Sequence, residues 1–330
     1  MPSHSRSIDI HAHYFGQHYL ELFNEQRERY GTEFHATKDS FSFKSPIGNF
    51  GTLPIKFIDA KQRVAEMDEQ GIAIQALSLT GPMVYWAEPE FSLKLARAWN
   101  DDAVAAHKAF PDRLVVLATL PMLDPDRAID ELNRVHKLPG VRGIYMGTNI
   151  DSRDLDDPLF EPIFARIAAL DLPVFLHPQQ TIGGKRLDPF YLSNFLGNPF
   201  DSAIAACHLI FGGVLDRHPK LQINLPHAGG ALPGLIGRID HGWTRRPETR
   251  HLANAPSTYL RRFTYDTISH SAPILNFIIS QVGADRVMIG SDYCFDMGYE
   301  RPLAMLDELK ISDADKKLIA GETAARILKI

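Results

Sequence analysis

Ile8-Asp9-Ile10-His11-Ala12-His13 is the stretch on which the fold of this chain turns. Ile8 and Ile10 alternate with polar neighbours, the pattern of a short strand entering a core. In an extended chain residues i and i+2 point the same way, so His11 and His13 aim two imidazoles at one point. Two neutral imidazoles on one side of a site are a start for a divalent metal, zinc first among them. Two histidines near an N-terminus are also ordinary, so HxH alone is a weak signal. What decides is whether the chain brings further ligands to the same place.

Outward from His13 the chain first becomes irregular. About residues 14–58 are rich in aromatics (Tyr14, Phe15, Phe41, Phe43, Phe50, Phe57), with Gly and Pro throughout. A stretch this long between elements is usually functional, and it is expected to be an insertion with short strands covering one end of the domain. Asp59–Gln70 then reads as a helix, with Asp59 at its N-cap and Gly71 ending it. From there strands and helices alternate. The strands are Ile72–Leu79, Leu114–Leu120, Val141–Met146, Pro173–Leu176, Leu221–Leu225, Phe263–Asp266 and Val287–Gly290. Between them lie helices over Glu90–Phe110, from Asp124-Pro125, from Asp157-Pro158 to about Leu170, and over Phe200–Leu215, Ala231–His241 and Pro273–Val282.

With Ile8–Ile10 counted first, eight strands are each followed by at least one helix. Such alternation implies a parallel sheet with right-handed crossovers, and eight units are the count of an α/β (β/α)8 TIM barrel. The expectation is one barrel domain over residues 1–330 with a small insertion after the first strand. An open doubly wound sheet is the rival, but no GxGxxG follows the first strand.

Composition narrows the function classes. The 330 residues are 45% hydrophobic and 23% charged, with a net charge of −5 and no long basic block. Nothing there points to nucleic acid or an anionic membrane. The start MPSHSRSID has no apolar signal core, and no apolar run reaches transmembrane length. Two cysteines, Cys207 and Cys294, make no disulfide framework and fit a reducing cytoplasm.

In a barrel the C-terminal strand ends converge on one mouth, where active sites lie. The first strand brings His11 and His13, the fifth His177, the sixth His227 and the eighth Asp292. His11, His13, His177 and Asp292 complete a ligand set for one divalent ion, with a position left open for water or substrate. His227 is then spare and suits a general acid/base next to that ion. The fourth strand ends in Tyr145-Met146, with neither Lys nor carboxylate to bridge a second ion. Gly183-Gly184-Lys185 is no P-loop and Gly290-Ser291-Asp292 no nucleophile elbow. Cys294 reads as a packed cysteine. The remaining histidines, His4 among them, read as surface or core residues, with His241 and His270 the two able to approach the mouth.

These ligands match the amidohydrolase superfamily, and further segments narrow the match. EMDEQGIAIQALS (66–78), Tyr85-Trp86-Ala87, Thr119-Leu120-Pro121-Met122, Phe211-Gly212-Gly213-Val214, Pro219-Lys220-Leu221, His227-Ala228-Gly229-Gly230, Gly237-Arg238-Ile239 and Gly290-Ser291-Asp292-Tyr293 resemble the 2-amino-3-carboxymuconate-6-semialdehyde decarboxylase (ACMSD) branch. The resemblance runs in order over nearly the whole chain. It implies a metal-dependent, non-oxidative decarboxylase and a homodimer in which Arg238 reaches the neighbour's site to hold a carboxylate. One metal ion per subunit is expected, zinc before manganese.

One position departs from that branch. Where it carries a second carboxylate-binding arginine this chain has Pro54, with Lys56 close by. The expected substrate is therefore another aromatic or unsaturated carboxylic acid, of hydroxybenzoate type, in place of the ACMSD substrate. Trp86, Phe295 and aromatics of the insertion are expected to line an apolar pocket. Two proton routes stay open: attack by metal hydroxide before C–C cleavage, or direct protonation of the ring carbon. A metal-dependent hydrolase of an amide, lactone or C–C bond is the runner-up, and a barrel that has lost catalysis is the reading from another class.

Overall fold

In the computed structural model, which describes residues 6–330, the first strand, β1 (Ile8–His13), is buried along its whole length. His4 lies outside the described residues. β1 pairs in parallel with β2 (Ile74–Ser78), Ile8 opposite Ile74 and His13 opposite Ser78. The sheet continues through β3 (Leu114–Ala118), β4 (Val141–Gly147), β5 (Val174–His177), β6 (Ile223–Leu225), β7 (Phe263–Asp266) and β8 (Val287–Met288), all parallel and in chain order. It closes on itself: Ile10 N donates to Ile289 O at 2.9 Å and His13 N to Tyr293 O at 2.6 Å. With helices between the strands this is the (β/α)8 barrel, and the open-sheet rival fails on that closure.

The connecting helices start where their capping chemistry puts them. Asp59 accepts from Lys61 N and Gln62 N at the head of Ala60–Gln70. Asp124 accepts from Arg127 N ahead of Pro125, the first residue of Pro125–Val135. A side-chain oxygen there replaces a partner that the first helical N–H groups lack. The helix expected over Phe200–Leu215 is two helices, Asn198–Phe211 and Val214–Arg217. Gly213 breaks it, at φ 72°, a left-handed conformation that glycine adopts without penalty. The helix expected from Asp157 opens instead with a tight turn, Pro158–Phe160, before Glu161–Ala169.

Residues 14–58 hold a helix, Gln17–Glu25, that buries Tyr19, Leu20, Leu22 and Phe23. An antiparallel sheet of three strands follows (Glu33–Ala36, Ser40–Ser45, Gly48–Pro54). Phe15, Phe41, Phe43 and Phe57 pack there ring to ring, Phe15 at 5.1 Å from Phe43 and 5.7 Å from Phe57. Such pairs add roughly 1 kcal/mol each beyond their buried area. Phe57 passes the cluster on to Phe295 at 4.9 Å.

Beneath β1 lies a buried polar network. Asp9 accepts from Gln75 Nε2 at 2.8 Å, Ser291 Oγ at 2.5 Å and the backbone N–H groups of His11 and Ser291. Gln75 Oε1 in turn accepts from Arg63 at 2.7 Å, and Arg63 also donates to the carbonyl of His13. The Arg63 guanidinium lies over the rings of Tyr293 (4.6 Å) and Tyr14 (5.6 Å). This network ties β1 to β2 and to the chain after β8, and so fixes the strand that carries the two histidines. Arg63→Met leaves two buried acceptors without a donor. The expected loss is about 3 kcal/mol, read from urea unfolding of metal-free protein. Arg63→Lys is expected to recover little of it, because one ammonium cannot reach both acceptors and cover two rings. An unchanged unfolding midpoint in the Met variant would contradict the role given to the network.

A candidate metal centre at the barrel mouth

The end of β1 delivers His11 and His13 to the mouth, the end of β5 delivers His177, and the turn after β8 delivers Asp292. All four are buried, and one ligand atom from each lies within 4.8 Å of the others. Ring centroids are 5.0 Å apart for His11 and His13, 5.4 Å for His11 and His177, and 4.8 Å for His13 and His177.

Hydrogen bonds at the outer nitrogens decide which nitrogen faces inward. His11 Nδ1 lies 2.8 Å from Asp266 Oδ2, so Nε2 points into the cluster. That Nε2 is buried without a hydrogen-bond partner among the described residues, 3.6 Å from Asp292 Oδ1. His177 Nδ1 lies 3.1 Å from the carbonyl of Pro178, which can only accept, so Nδ1 carries the proton and Nε2 the lone pair. His13 Nε2 lies 2.9 Å from Asp292 Oδ1, with Ser78 Oγ 3.3 Å from Nδ1. The orphaned buried nitrogen of His11, the inward lone pair of His177, and the His13 imidazole paired with the Asp292 carboxylate form a donor set that fits a divalent ion of the zinc or manganese kind.

The electrostatics agree with that fit. Burial pulls the His13 imidazole down to about 4, against the opposing hydrogen bond to Asp292. His177 falls well below its ordinary value, by burial first and then by the neighbouring imidazoles. Burial also acts to lower His11, but the hydrogen bond to Asp266 and the charge of Asp292 outweigh it and the net shift is upward. Burial acts to raise Asp292, and the hydrogen bond from His13 with the charges of His11 and His13 reverses it to well below the carboxylate range. The cluster thus holds a carboxylate anion that accepts from His13 and lies beside the unpartnered Nε2 of His11.

His227 stands beside the cluster, its ring 5.3 Å from that of His11 and 5.8 Å from that of His177. Its Nδ1 is buried and unpartnered among the described residues. Burial, then the charge of His11, shifts it down, so the ring is neutral at pH 7. The residue that holds it in place is Asp266, which the sequence reading passed over. This carboxylate at the end of β7 accepts from His11 Nδ1 and from the backbone N–H groups of His227 (3.0 Å), Ala228 (2.7 Å) and Ile268 (3.0 Å). Its signal was in the sequence: Phe263–Asp266 ends in an acidic residue at a strand's C-terminal end, where a carboxylate has few structural reasons to be.

The other expected residues fall in different places. Phe295 sets its ring edge-on to His13 at 5.3 Å and lines a cavity of about 870 Å³ together with Lys56, Phe57, Tyr191, Cys294 and Glu300. Cys294 is half-buried in that wall, its thiol pushed up to about 12 by burial. Trp86 packs among Phe23, Tyr30 and Phe91 and donates to the carbonyl of Met83, away from both mouth cavities. Arg238 lies on the exposed face of helix Leu232–Arg245 and pairs with no described residue of its own chain. His270 lines a second cavity, of about 260 Å³, which reaches His227 and Asp292, while His241 is exposed on its helix.

Comparison with known proteins follows the same lines. Residues 8–330 match the amidohydrolase family model Amidohydro_2. The 2-amino-3-carboxymuconate-6-semialdehyde decarboxylase of Dictyostelium discoideum is 32% identical over 98% of this chain and 92% of its own length. The gamma-resorcylate decarboxylase of Rhodococcus jostii is 29% identical, over 84% of this chain and 90% of its own. The crystal structure of 5-carboxyvanillate decarboxylase from Sphingomonas paucimobilis superposes with a TM-score of 0.84 at 26% identity, covering 98% of this chain and 99% of that one.

Asp266→Asn keeps the shape and removes the charge that orients His11. Metal affinity is expected to fall about 10- to 100-fold, measured by competition with a chromogenic chelator. Unchanged affinity would show that His11 needs no such partner.

Proposed function

The chain belongs to the Amidohydro_2 family of amidohydrolases, and from that premise we propose that it is a metal-dependent, non-oxidative decarboxylase of an aromatic or unsaturated carboxylic acid, of hydroxybenzoate type. The observation that carries this is a spare neutral imidazole, His227, buried beside a complete His–His–His–Asp ligand set and bordering a cavity. Relatives named as decarboxylases along almost the whole chain support it.

His11, His13, His177 and Asp292 would hold one ion per subunit, zinc in first place and manganese in second. Bound there, such an ion would supply Lewis acidity toward the substrate's oxygen atoms. The protein's own groups do the rest. When the bond between the ring and the carboxylate carbon breaks, CO2 leaves and its electron pair stays on the ring carbon, which must take up a proton. His227 would move that proton, and the buried, unpartnered Nδ1 of its ring supports that role. Asp266 keeps its backbone fixed. Phe295, edge-on to His13, would present an apolar face on the other flank, and a drier site favours loss of a charged carboxylate as neutral CO2.

The working unit would be a homodimer, with Arg238 of one copy clamping a carboxylate in the other. In support, large exposed apolar residues gather in the chain after β5 (Ile182, Phe190, Tyr191, Phe195, Leu196, Phe200), and Leu235 stands on the helix of Arg238. Patches of that kind mark interfaces. We take residues 1–330 as one catalytic domain whose insertion, about 14–58, covers the mouth through the contact of Phe57 with Phe295. The two free cysteines support the cytoplasm as its compartment. Among the described residues no helix is long and apolar enough to cross a membrane.

Metal-loaded protein incubated with 2,6-dihydroxybenzoate and related hydroxybenzoates in D2O is expected to release CO2 and to leave one deuterium on the vacated ring carbon. His227→Asn should keep its metal and lose activity by about 100-fold or more. No CO2 from any such acid, or a variant as fast as the parent, would overturn the assignment.

A further inference from the structure

The outer nitrogen of His177 is held by a main-chain carbonyl. His177 Nδ1 lies 3.1 Å from the oxygen of Pro178, the next residue. A carbonyl on a turn steadies a ring only if its own peptide plane is steady. The Pro178–Gln179 peptide group is trans, so its C=O and N–H point in opposite directions. A group that grips the N–H of Gln179 therefore aims the Pro178 oxygen at His177.

That grip comes from a buried carboxylate, Asp201, in the first turn of helix Asn198–Phe211. The Gln179 N–H donates to Thr148 Oγ1 at 3.4 Å, and the Thr148 hydroxyl donates to Asp201. The carboxylate takes a share of the same N–H directly. Asn149 gives its amide both to Asp201 Oδ2, at 3.2 Å, and to the Gln179 carbonyl. On the other side of the turn the Thr148 N–H donates to the His177 carbonyl at 2.9 Å. Thr148 and Asn149 are buried with Asp201. The carboxylate thus ties the chain just after His177 to the helix that follows. Between those two points, residues 180–197 carry Tyr191, Asn194 and Phe195 into the walls of the mouth cavities.

Two carboxylates therefore stand behind the histidines of the mouth. Asp266 touches His11 directly. Asp201 reaches His177 through a peptide group. An anion at the N–H end of a peptide polarises its C=O, because linked hydrogen bonds strengthen one another. A stronger acceptor at Nδ1 makes Nε2 a better electron donor to a metal.

We infer that Asp201 is a positioning residue for His177, acting through the Pro178–Gln179 peptide group to orient the ring and strengthen its inward nitrogen as a ligand. This rests on the metal centre proposed above and extends it to a residue outside the cluster.

Zinc affinity of metal-stripped protein, measured by competition with a chromogenic chelator, tests it together with the proton NMR spectrum of cobalt-loaded protein. Asp201→Asn keeps the size and sets an amide where donors converge, and zinc affinity should fall about tenfold or more. In the cobalt form one exchangeable imidazole N–H signal should shift and exchange faster with solvent, while the others stay in place. A change confined to one ring is not what a general loosening of the fold produces. Thr148→Val removes the hydroxyl between peptide and carboxylate and should weaken zinc binding about threefold, while Thr148→Ser should not. That pair decides the matter should the Asn variant fail to fold. Parent-like zinc affinity in both Asp201→Asn and Thr148→Val, or a uniform shift of every imidazole signal, overturns the inference and leaves the metal centre standing. A parent protein that takes up no zinc contradicts the metal centre, and the inference with it.

Discussion

A single buried carboxylate, Asp266, sets the geometry of the mouth. It receives one imidazole nitrogen from β1 and three backbone N–H groups from the segments after β6 and β7. A carboxylate with so many donors stays ionised in spite of burial, and its net shift is below the ordinary range. Because it is charged and immobile, His11 can turn only one nitrogen toward the cluster, and His227 must enter the site from a fixed backbone. The His11 imidazole and the backbone of His227 therefore share one anchor.

That anchor makes an awkward backbone tolerable. His227, Ala228 and Asp292 all have positive φ, between 52° and 57°, where side-chain-bearing residues cost roughly 1 kcal/mol or more each. Each is met by a backbone hydrogen bond: His227 N and Ala228 N donate to Asp266, and Asp292 N to His11 O at 2.8 Å. Gly290 is part of the same arrangement. A Cβ there would lie 2.8 Å from the Asp266 Cβ and 3.1 Å from the His11 Cβ, so no larger residue lets β8 pass so close to both. Beneath, the Asp9–Gln75–Arg63 network holds β1 from the other side.

The barrel was legible in the sequence because short apolar runs alternated with capped amphipathic helices, and eight such units leave few closures. Strand ends were equally legible for His11, His13, His177 and Asp292, since a barrel converts strand position into a place at the mouth. What was not legible depends on direction. Val287–Gly290 reads as four strand residues, but the ladder stops at Met288 as the chain turns toward a left-handed Asp292. Of Asp266 only the acidic residue at a strand end is legible and its anchoring role is not, because three of its four donors are backbone groups that no side-chain pattern reveals. Lys56 looks like a free cation until the fold brings Glu66 to it, ten residues later and on another element. The helix Gln17–Glu25 hides in an aromatic stretch whose glycines suggest only loop and strand.

The central claim is that one ion held by His11, His13, His177 and Asp292 makes this chain a decarboxylase. The most direct measurement is titration of metal-stripped protein with zinc or manganese while CO2 release from a hydroxybenzoate is followed. Activity should rise linearly and break at one ion per chain, with no rise at all in His177→Ala. Release that is independent of added metal, or a His177→Ala protein that titrates like the parent, would contradict the account.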